Sequence, residues 1–515
     1  MTRSATIDPP VSSKAGLAGL LLVLLVAFGL RFVAVRADGG LWFDEIFGAS
    51  YVNLNPLDLV VAVMRFDIHP PLYYLQLDAW GLFSKQDTWL LLNSVFWSLC
   101  SIVVVYLGVA VRAGRSAALL AAALTALLGS EIYYASDLRM YAMLGCNVLL
   151  LWYCVDQWLL HGRRGHWWAM CLLVLSLSML HSIAFISVGS VLCYAVIRCW
   201  VAGERRRIKP LVLFILISGV LLLPWLANAM FRSVSHTRMP DFDNVAQTIG
   251  GWLLGYFPGL TTSQYTVAAA LVLALVLYLL VFGSAYVRAC VVSFVVLPAL
   301  VVGAISLVMR PIWLDRTLAF TAPFLAVALA VHLQERLRPE QRLRQVGVAL
   351  MVALLAFVAV YGAGWERLQA SRKMDFDKVA QHIAQHNAER RDIYVPSNVR
   401  YWAIARYLVG PNWGSLLAIQ DPVKVDDSDT WRRLYEKLGD PWLERLHLKG
   451  SARFIESDHG RLWIGYSPLP DDVVSRGYYY VGDNNDRGKP QACPQGRETS
   501  RQSFEGVMVF ECKSP

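Results

Sequence analysis

The chain has 515 residues, of which 56% are hydrophobic and only 17% charged, against about 25% charged in a soluble globular protein. Its formal net charge of +9 would suit a nucleic-acid partner only if the basic residues formed one patch. Instead Arg163–Arg164, Arg205–Arg207 with Lys209, and Arg336, Arg338, Arg342 and Arg344 sit in short connections between long apolar runs; that is the signature of an oriented membrane protein, and it excludes a nucleic-acid binder and a wholly soluble enzyme.

The first apolar run, about Ala15 to Val35, is long enough to cross a hydrocarbon core about 30 Å thick. It lacks the small-residue cleavage site of a removed signal peptide and is read as a retained span. Arg3 and Lys14 place the N-terminus on the cytoplasmic side. A first outer loop follows over 38–88, too polar and interrupted to span. Within it, Leu72–Phe83 is predicted as a short amphipathic helix on the membrane surface. Further spans are predicted at roughly 89–111, 116–134, 141–160, 167–181, 182–201, 210–230, 266–287, 289–309, 317–334 and 346–364, about eleven in all. That count keeps every arginine cluster inside and leaves shorter outer segments at 135–139, 231–265 and 310–316.

From about Trp365 the composition changes to mixed polar and apolar with ordinary turn signals. Helices are predicted over Asp375–Asn387 and Tyr401–Leu408, and strands over Asp392–Pro396, Ala452–Glu456, Leu462–Tyr466 and Val507–Glu511. The expected architecture is a membrane domain over 1–364 and an extracytoplasmic α/β domain over 365–515. Seven cysteines lie in or beside apolar runs, where a thiol packs as a small hydrophobe. Cys493 and Cys512 lie in the polar tail and are disulfide candidates if that tail is in an oxidising compartment.

Ionisable groups at the ends of spans are costly to keep there, which makes them the candidates for chemistry. Asp44–Glu45 is flanked by aromatic residues in Leu41-Trp-Phe-Asp-Glu-Ile; a partly desolvated carboxylate there suits a general base. The competing reading, a solvated acidic loop beside an aromatic belt, is the one that spacing alone favours. His69 precedes Pro70-Pro71, which suit a helix start and hold the imidazole where a phosphate could lie, or leave it a simple cap. Arg139, in Asp137-Leu-Arg-Met-Tyr141, offers a planar fork for a phosphate or else a snorkelling anchor. His181 ends a short span, where a satisfied buried polar group is the commoner role. Arg310 and Arg316 on an outer loop oppose the positive-inside bias and call for an anionic partner, which Asp315 could supply.

Trp42-Phe-Asp44-Glu45, His69-Pro70-Pro71-Leu72-Tyr73-Tyr74 and Asp137-Leu-Arg139-Met140-Tyr141, in that order, resemble the motif series of bacterial GT-C glycosyltransferases of the family 39-like group, relatives of protein O-mannosyltransferases and of the lipid A aminoarabinose transferase. His181, Pro224-Trp225 and Arg316-Thr317-Leu318 resemble later landmarks of the same series, with Thr317 replacing the usual tyrosine and Asp137 replacing a frequent glutamate. The resemblance covers about residues 14–364. It implies a GT-C fold in a bacterial inner membrane, with the C-terminal domain periplasmic or extracellular. The activity it implies is transfer of a sugar from a polyprenyl-phosphate donor to a lipid, glycan or protein hydroxyl. Asp44 would then be the catalytic base, with Glu45 beside it. His69, Arg139, Tyr141 and Arg316 would hold the donor phosphate. Glu45, Asp137 and His181 would orient these groups or hold a divalent cation, on whose need family members differ.

A transporter or flippase of lipid-linked sugars is the main alternative; it would show internal repeats and interrupted helices near the bilayer midplane. No repeat is visible, and the ionisable residues gather at one face. A membrane-anchored binding module is a third reading, which leaves so many spans unexplained.

Overall fold

The structure, a computed structural model, describes residues 14–37, 40–182, 184–231, 239–257, 259–336, 375–395, 398–410, 454–464, 469–483, 493, 497–504 and 507–513. Two compact units emerge. The first takes the chain up to Val35, the short stretch Ile68–Tyr73 and the chain from Leu91 to Ala370; the second takes Arg36–Asp67, Tyr74–Leu90 and the chain from Ser371 onward.

In chain order the helices begin with α1 (Lys14–Ala37), α2 (Phe43–Ser50), α3 (Pro56–Phe66), α4 (Leu72–Gly81) and α5 (Asp87–Ala113). Then come α6 (Arg115–Leu127), α7 (Gly129–Ala135), α8 (Tyr141–His161), α9 (Arg164–Ser178), α10 (Ala184–Ala202) and α11 (Ile208–Phe231). The membrane unit closes with α12 (Phe242–Leu254), α13 (Thr262–Phe282), α14 (Ala285–Val291), a π-helical stretch over Val292–Val296, α15 (Leu297–Val308) and α16 (Ala322–Arg336).

Among the described residues, eight helices are long and apolar enough to cross a membrane, or nine if the bent pair α6–α7 is one span. The expected eleven resolve into these nine, α9 and the segment 346–364. Helix α9 has 15 residues, short of the roughly 20 a span needs; 346–364 and the expected boundary at 364/365 lie outside the described residues. The span expected at 266–287 starts at Thr262 because Thr261 and Gln264 close a capping box, with Gln264 Oε1 accepting from the Thr261 N–H at 2.8 Å. Gly283 ends it, and Ser284 caps the next helix through the Val287 N–H. Helix α12, inside the expected outer segment 231–265, was not predicted; Asp241 and Asn244 cap it in the same way.

The α6–α7 span bends by 61° at Leu128–Gly129, which frees carbonyls that hydrocarbon cannot satisfy. Arg31, wholly buried in α1, meets one of them: it donates to Ala126 O at 3.0 Å, and is itself held by donating to Ser98 Oγ of α5 at 2.8 Å. Gly129 must be glycine for close packing, since a Cβ would lie 2.2 Å from the Leu254 carbonyl carbon and 2.3 Å from the Gly255 nitrogen.

In the second unit the C-terminal chain forms a six-stranded mixed sheet in the order β2-β3-β1-β4-β6-β5. Its strands are β1 (Asp392–Val395), β2 (Phe454–Ser457), β3 (Gly460–Ile464), β4 (Tyr478–Asp483), β5 (Arg497–Phe504) and β6 (Val507–Lys513). β1 runs parallel to β3 and β4, so crossovers are required; α18 (Asn398–Val409) lies in the first and α19 (Asp471–Arg476) precedes β4, while α17 (Phe376–His386) leads into β1. Alternation along β4 sends Tyr478 and Tyr480 into a core with Trp463, Val473 and Phe510, and turns Tyr479 to donate to His386 O at the end of α17 at 3.3 Å. Cys493 and Cys512 are bonded to each other beside that core.

Most of the loop expected over 38–88 packs in this unit too. Asn55 caps α3 by accepting from the Asp58 N–H at 3.0 Å, with Pro56 first in the helix. Trp80 and Trp89 stack at 5.1 Å and exchange indole N–H bonds to each other's carbonyl oxygens. A helix, α4, is found where an amphipathic one was expected over Leu72–Phe83, but it buries Tyr73, Tyr74 and Leu77 wholly rather than presenting one apolar face.

Candidate active site

Within the membrane unit, the motif residues carried by loops between helices meet at one end of the bundle. The Ile68–Tyr73 stretch is fixed by the Leu72 N–H, which donates to Met179 O at 3.0 Å in the turn that follows α9. This bond places the His69 ring on the His181 ring, centroids 4.5 Å apart, and brings Ser182 Oγ within 3.4 Å of His69 Nδ1. Both imidazoles are buried.

The Asp137–Tyr141 turn is held from α5, where Ser94 Oγ donates to Asp137 O at 2.6 Å, and closed by the Arg139 N–H donating to the same oxygen at 2.8 Å. Asp137 and Arg139 are buried. Tyr141 opens α8 and lies against His181, with centroids 6.0 Å apart. Tyr134 and Tyr256 continue the aromatic line at 5.3 and 5.7 Å.

Arg316 sits in a one-turn 3-10 helix, Asp315–Leu318, whose preceding loop is stitched in place. The Ile312 N–H donates to Ser306 Oγ at 3.1 Å, Trp313 Nε1 donates to Thr248 Oγ1 at 3.1 Å, and Thr317 Oγ1 donates to Ile312 O at 2.9 Å. Asp315 accepts from the Tyr134 hydroxyl at 3.2 Å.

Burial, and then the positive charges of Arg139 and Arg316, hold His69 well below the usual imidazole range. The site therefore combines an imidazole kept neutral with two guanidinium groups that stay charged. Such a set presents several N–H donors in fixed directions and suits an oxyanion, above all a phosphate.

In the second unit, Asp44 and Glu45 stand side by side in the first turn of α2 but in different surroundings. Asp44 is half-buried. Glu45 is wholly buried, and its Oε2 accepts from the Trp42 N–H at 3.0 Å, closing the start of the helix. Among the described residues, no three His, Cys, Asp or Glu side chains gather closely enough to hold a metal ion.

Ser182 and Tyr134 escaped the sequence reading. Both are ordinary residue types in apolar surroundings, and nothing short of the fold brings them to His69 and Asp315.

No protein-family model matches the sequence, and no curated protein does. Solved structures do. The crystal structure of ArnT from Cupriavidus metallidurans bound to undecaprenyl phosphate superposes with a TM-score of 0.59 over 97% of this chain and 98% of that one, at 13% identity. The apo state of the same protein gives 0.58 over the same shares, also at 13% identity. An Archaeoglobus fulgidus oligosaccharyltransferase covers 98% of this chain and 74% of its own at 10% identity, with a TM-score of 0.45, too remote to add to the argument. The first two establish the fold: a polytopic helical membrane bundle followed by a C-terminal α/β domain, as in ArnT.

Proposed function

We propose that the chain is a membrane glycosyltransferase that moves a sugar from a polyprenyl-phosphate donor to an acceptor hydroxyl on the extracytoplasmic face. The observation that carries this reading is the gathering of His69, Arg139, Arg316, His181 and Tyr141 at one end of a helical bundle with the GT-C fold. The two ArnT structures support it, since one was solved with undecaprenyl phosphate.

In the proposed reaction Asp44 takes the proton of the acceptor hydroxyl as its oxygen attacks the anomeric carbon. The bond from that carbon to the phosphate oxygen breaks, and the electron pair leaves with the lipid phosphate. Negative charge thus grows on the phosphate as the bond breaks. Arg139 and Arg316 meet that charge, and His69, held neutral, donates one N–H to it. Preorganised donors of this kind are worth about 3–4 kcal/mol each in the transition state. Glu45 keeps the helix start that carries Asp44 in shape; Asp137 and His181 orient Arg139 and His69.

The flippase reading has one observation on its side, the span broken at Leu128–Gly129, since broken spans line transport sites. Here Arg31 donates to a carbonyl at the break, and the backbone of Leu254–Gly255 packs directly on Gly129. Asp44→Asn tests the enzyme reading. The variant should insert and fold normally, and transfer from a polyprenyl-phosphate sugar should fall by about 10²- to 10⁴-fold, the usual contribution of a positioned base. Wild-type transfer in the variant would remove Asp44 from the mechanism.

A further inference from the structure

The segment that carries Asp44 is tied down at both ends by two adjacent residues of the C-terminal domain. At its start, the Leu41 N–H donates to Tyr407 Oη at 2.7 Å. At its end, the Tyr407 hydroxyl donates to Asp87 Oδ2 at 2.8 Å, and Arg406 Nε donates to Asp87 Oδ1 at 3.1 Å. A further Arg406 N–H reaches Lys85 O at 3.4 Å. One phenol thus bridges Leu41 and Asp87, the two ends of the outer segment.

The contact is built for precision. Leu41 is wholly buried, and Arg406 nearly so. A Cβ on Gly40 would lie 2.9 Å from Tyr407 Oη and 3.2 Å from Asp377, so the glycine lets the chain pass close against the phenol. From Leu41 the path to Asp44 is short and stiff: Trp42 caps α2 with its N–H on Glu45, and Asp44 lies in the first turn. Burial, and then the Asp87 charge, push the Tyr407 phenol well above its usual range, so it stays protonated as the donor to Asp87.

We infer that Tyr407 is a positioning residue for sugar transfer, acting through Leu41 to hold Asp44 in register, with Arg406 and Asp87 as its anchor. The C-terminal domain is on this account a working part of the catalytic apparatus. The inference rests on the glycosyltransferase reading for its catalytic half, whereas the tether itself can be tested without it.

Tyr407→Phe is the test, because it removes one hydroxyl, leaves the ring in its packing, and leaves the Arg406–Asp87 pair intact. In the full-length protein in detergent or nanodiscs, hydrogen exchange of the amides from Leu41 to Ser50 should quicken, while α5 and α8 keep their protection. Transfer from a polyprenyl-phosphate sugar should lose about 10- to 100-fold in kcat, the scale of a small misplacement of a reacting group. The KM for the lipid donor should stay within about two-fold, because the donor-phosphate groups are untouched. Wild-type exchange at Leu41 overturns the tether. Faster exchange with unchanged kcat overturns the positioning role. A rise in KM without loss of kcat shows that Tyr407 serves donor binding instead and also overturns it. Absence of transfer in the wild type sinks the glycosyltransferase reading and the catalytic half with it, and the exchange result then decides the tether alone.

Discussion

The imidazole rings of His69 and His181 lie 4.5 Å apart, centroid to centroid, at the junction of two loops that are distant in sequence. Two buried rings in contact, facing two guanidinium groups, cannot readily accept a proton. The consequence is a pH dependence of stability. His69 is held below the ordinary imidazole value of about 6.5 by burial and by Arg139 and Arg316. In the unfolded chain it regains the ordinary value, so below about pH 6.5 the unfolded state binds the extra proton, and stability falls as pH falls. The loss should begin as pH drops through about 6.5 and level off only below the depressed folded value. Thermal unfolding in detergent between pH 7.5 and 5.5 should show this slope, and His69→Gln, neutral throughout, should reduce it, leaving the share that belongs to His181. An unchanged slope in His69→Gln would show that the ring titrates alike in both states.

Arg139 and Arg316 are assigned to the charge that grows on the leaving phosphate. Replacing either by glutamine should lower kcat by about 10²- to 10³-fold. Lysine should recover only part of this, because an ammonium keeps the charge but loses the planar fork. Full activity in Arg139→Lys would mean that charge alone suffices there.

Gly129 sits where the broken span touches the backbone of Leu254 and Gly255. Alanine there must displace main chain rather than the end of a side chain, and overpacking of this kind costs about 1–3 kcal/mol. Gly129→Ala should lower the unfolding temperature of the membrane unit, whereas Gly145→Ala, where a Cβ meets nothing within 4 Å, should not. Equal behaviour of the two variants would count against the close approach.

Cys493 and Cys512 are 19 residues apart in sequence and bonded. Closing a loop of that size stabilises a domain by about 3 kcal/mol through the unfolded chain. A Cys493→Ser, Cys512→Ser double variant should unfold its C-terminal domain at lower denaturant, and reducing agent should have the same effect on the wild type. Mass mapping that finds both thiols free in protein purified from membranes without reductant would contradict the bond.

What could be read from the sequence followed from where the residues lie. Asp137–Tyr141, His181 and Arg316 stand at the ends of apolar runs and His69 in the loop that follows the first run, so one-dimensional patterning already assigned them to a common face. Arg31 stayed hidden because it lies inside an otherwise apolar run, and its role depends on a bend two spans away. Strand β4 begins with three tyrosines in a row, which carries no alternation to reveal a strand. β5 is an exposed strand of mostly polar residues that pairs, among the described residues, with β6 alone, so it has no apolar face to find. The same limit applies to Tyr407 and Asp87: a phenol on one domain's helix and a carboxylate at the head of a span show their pairing only once the chain is folded.

The central claim is that the His69, Arg139 and Arg316 cluster receives the phosphate of a polyprenyl lipid. Its most direct test is the affinity of the purified protein in nanodiscs for undecaprenyl phosphate, compared with Arg139→Gln and with Trp200→Ala, a distant and exposed position. The account predicts saturable binding by the wild type and by Trp200→Ala, with at least about a ten-fold loss in Arg139→Gln, since a charge-assisted contact is worth more than about 1.4 kcal/mol. Equal affinity in all three proteins, or no binding in any, would contradict it.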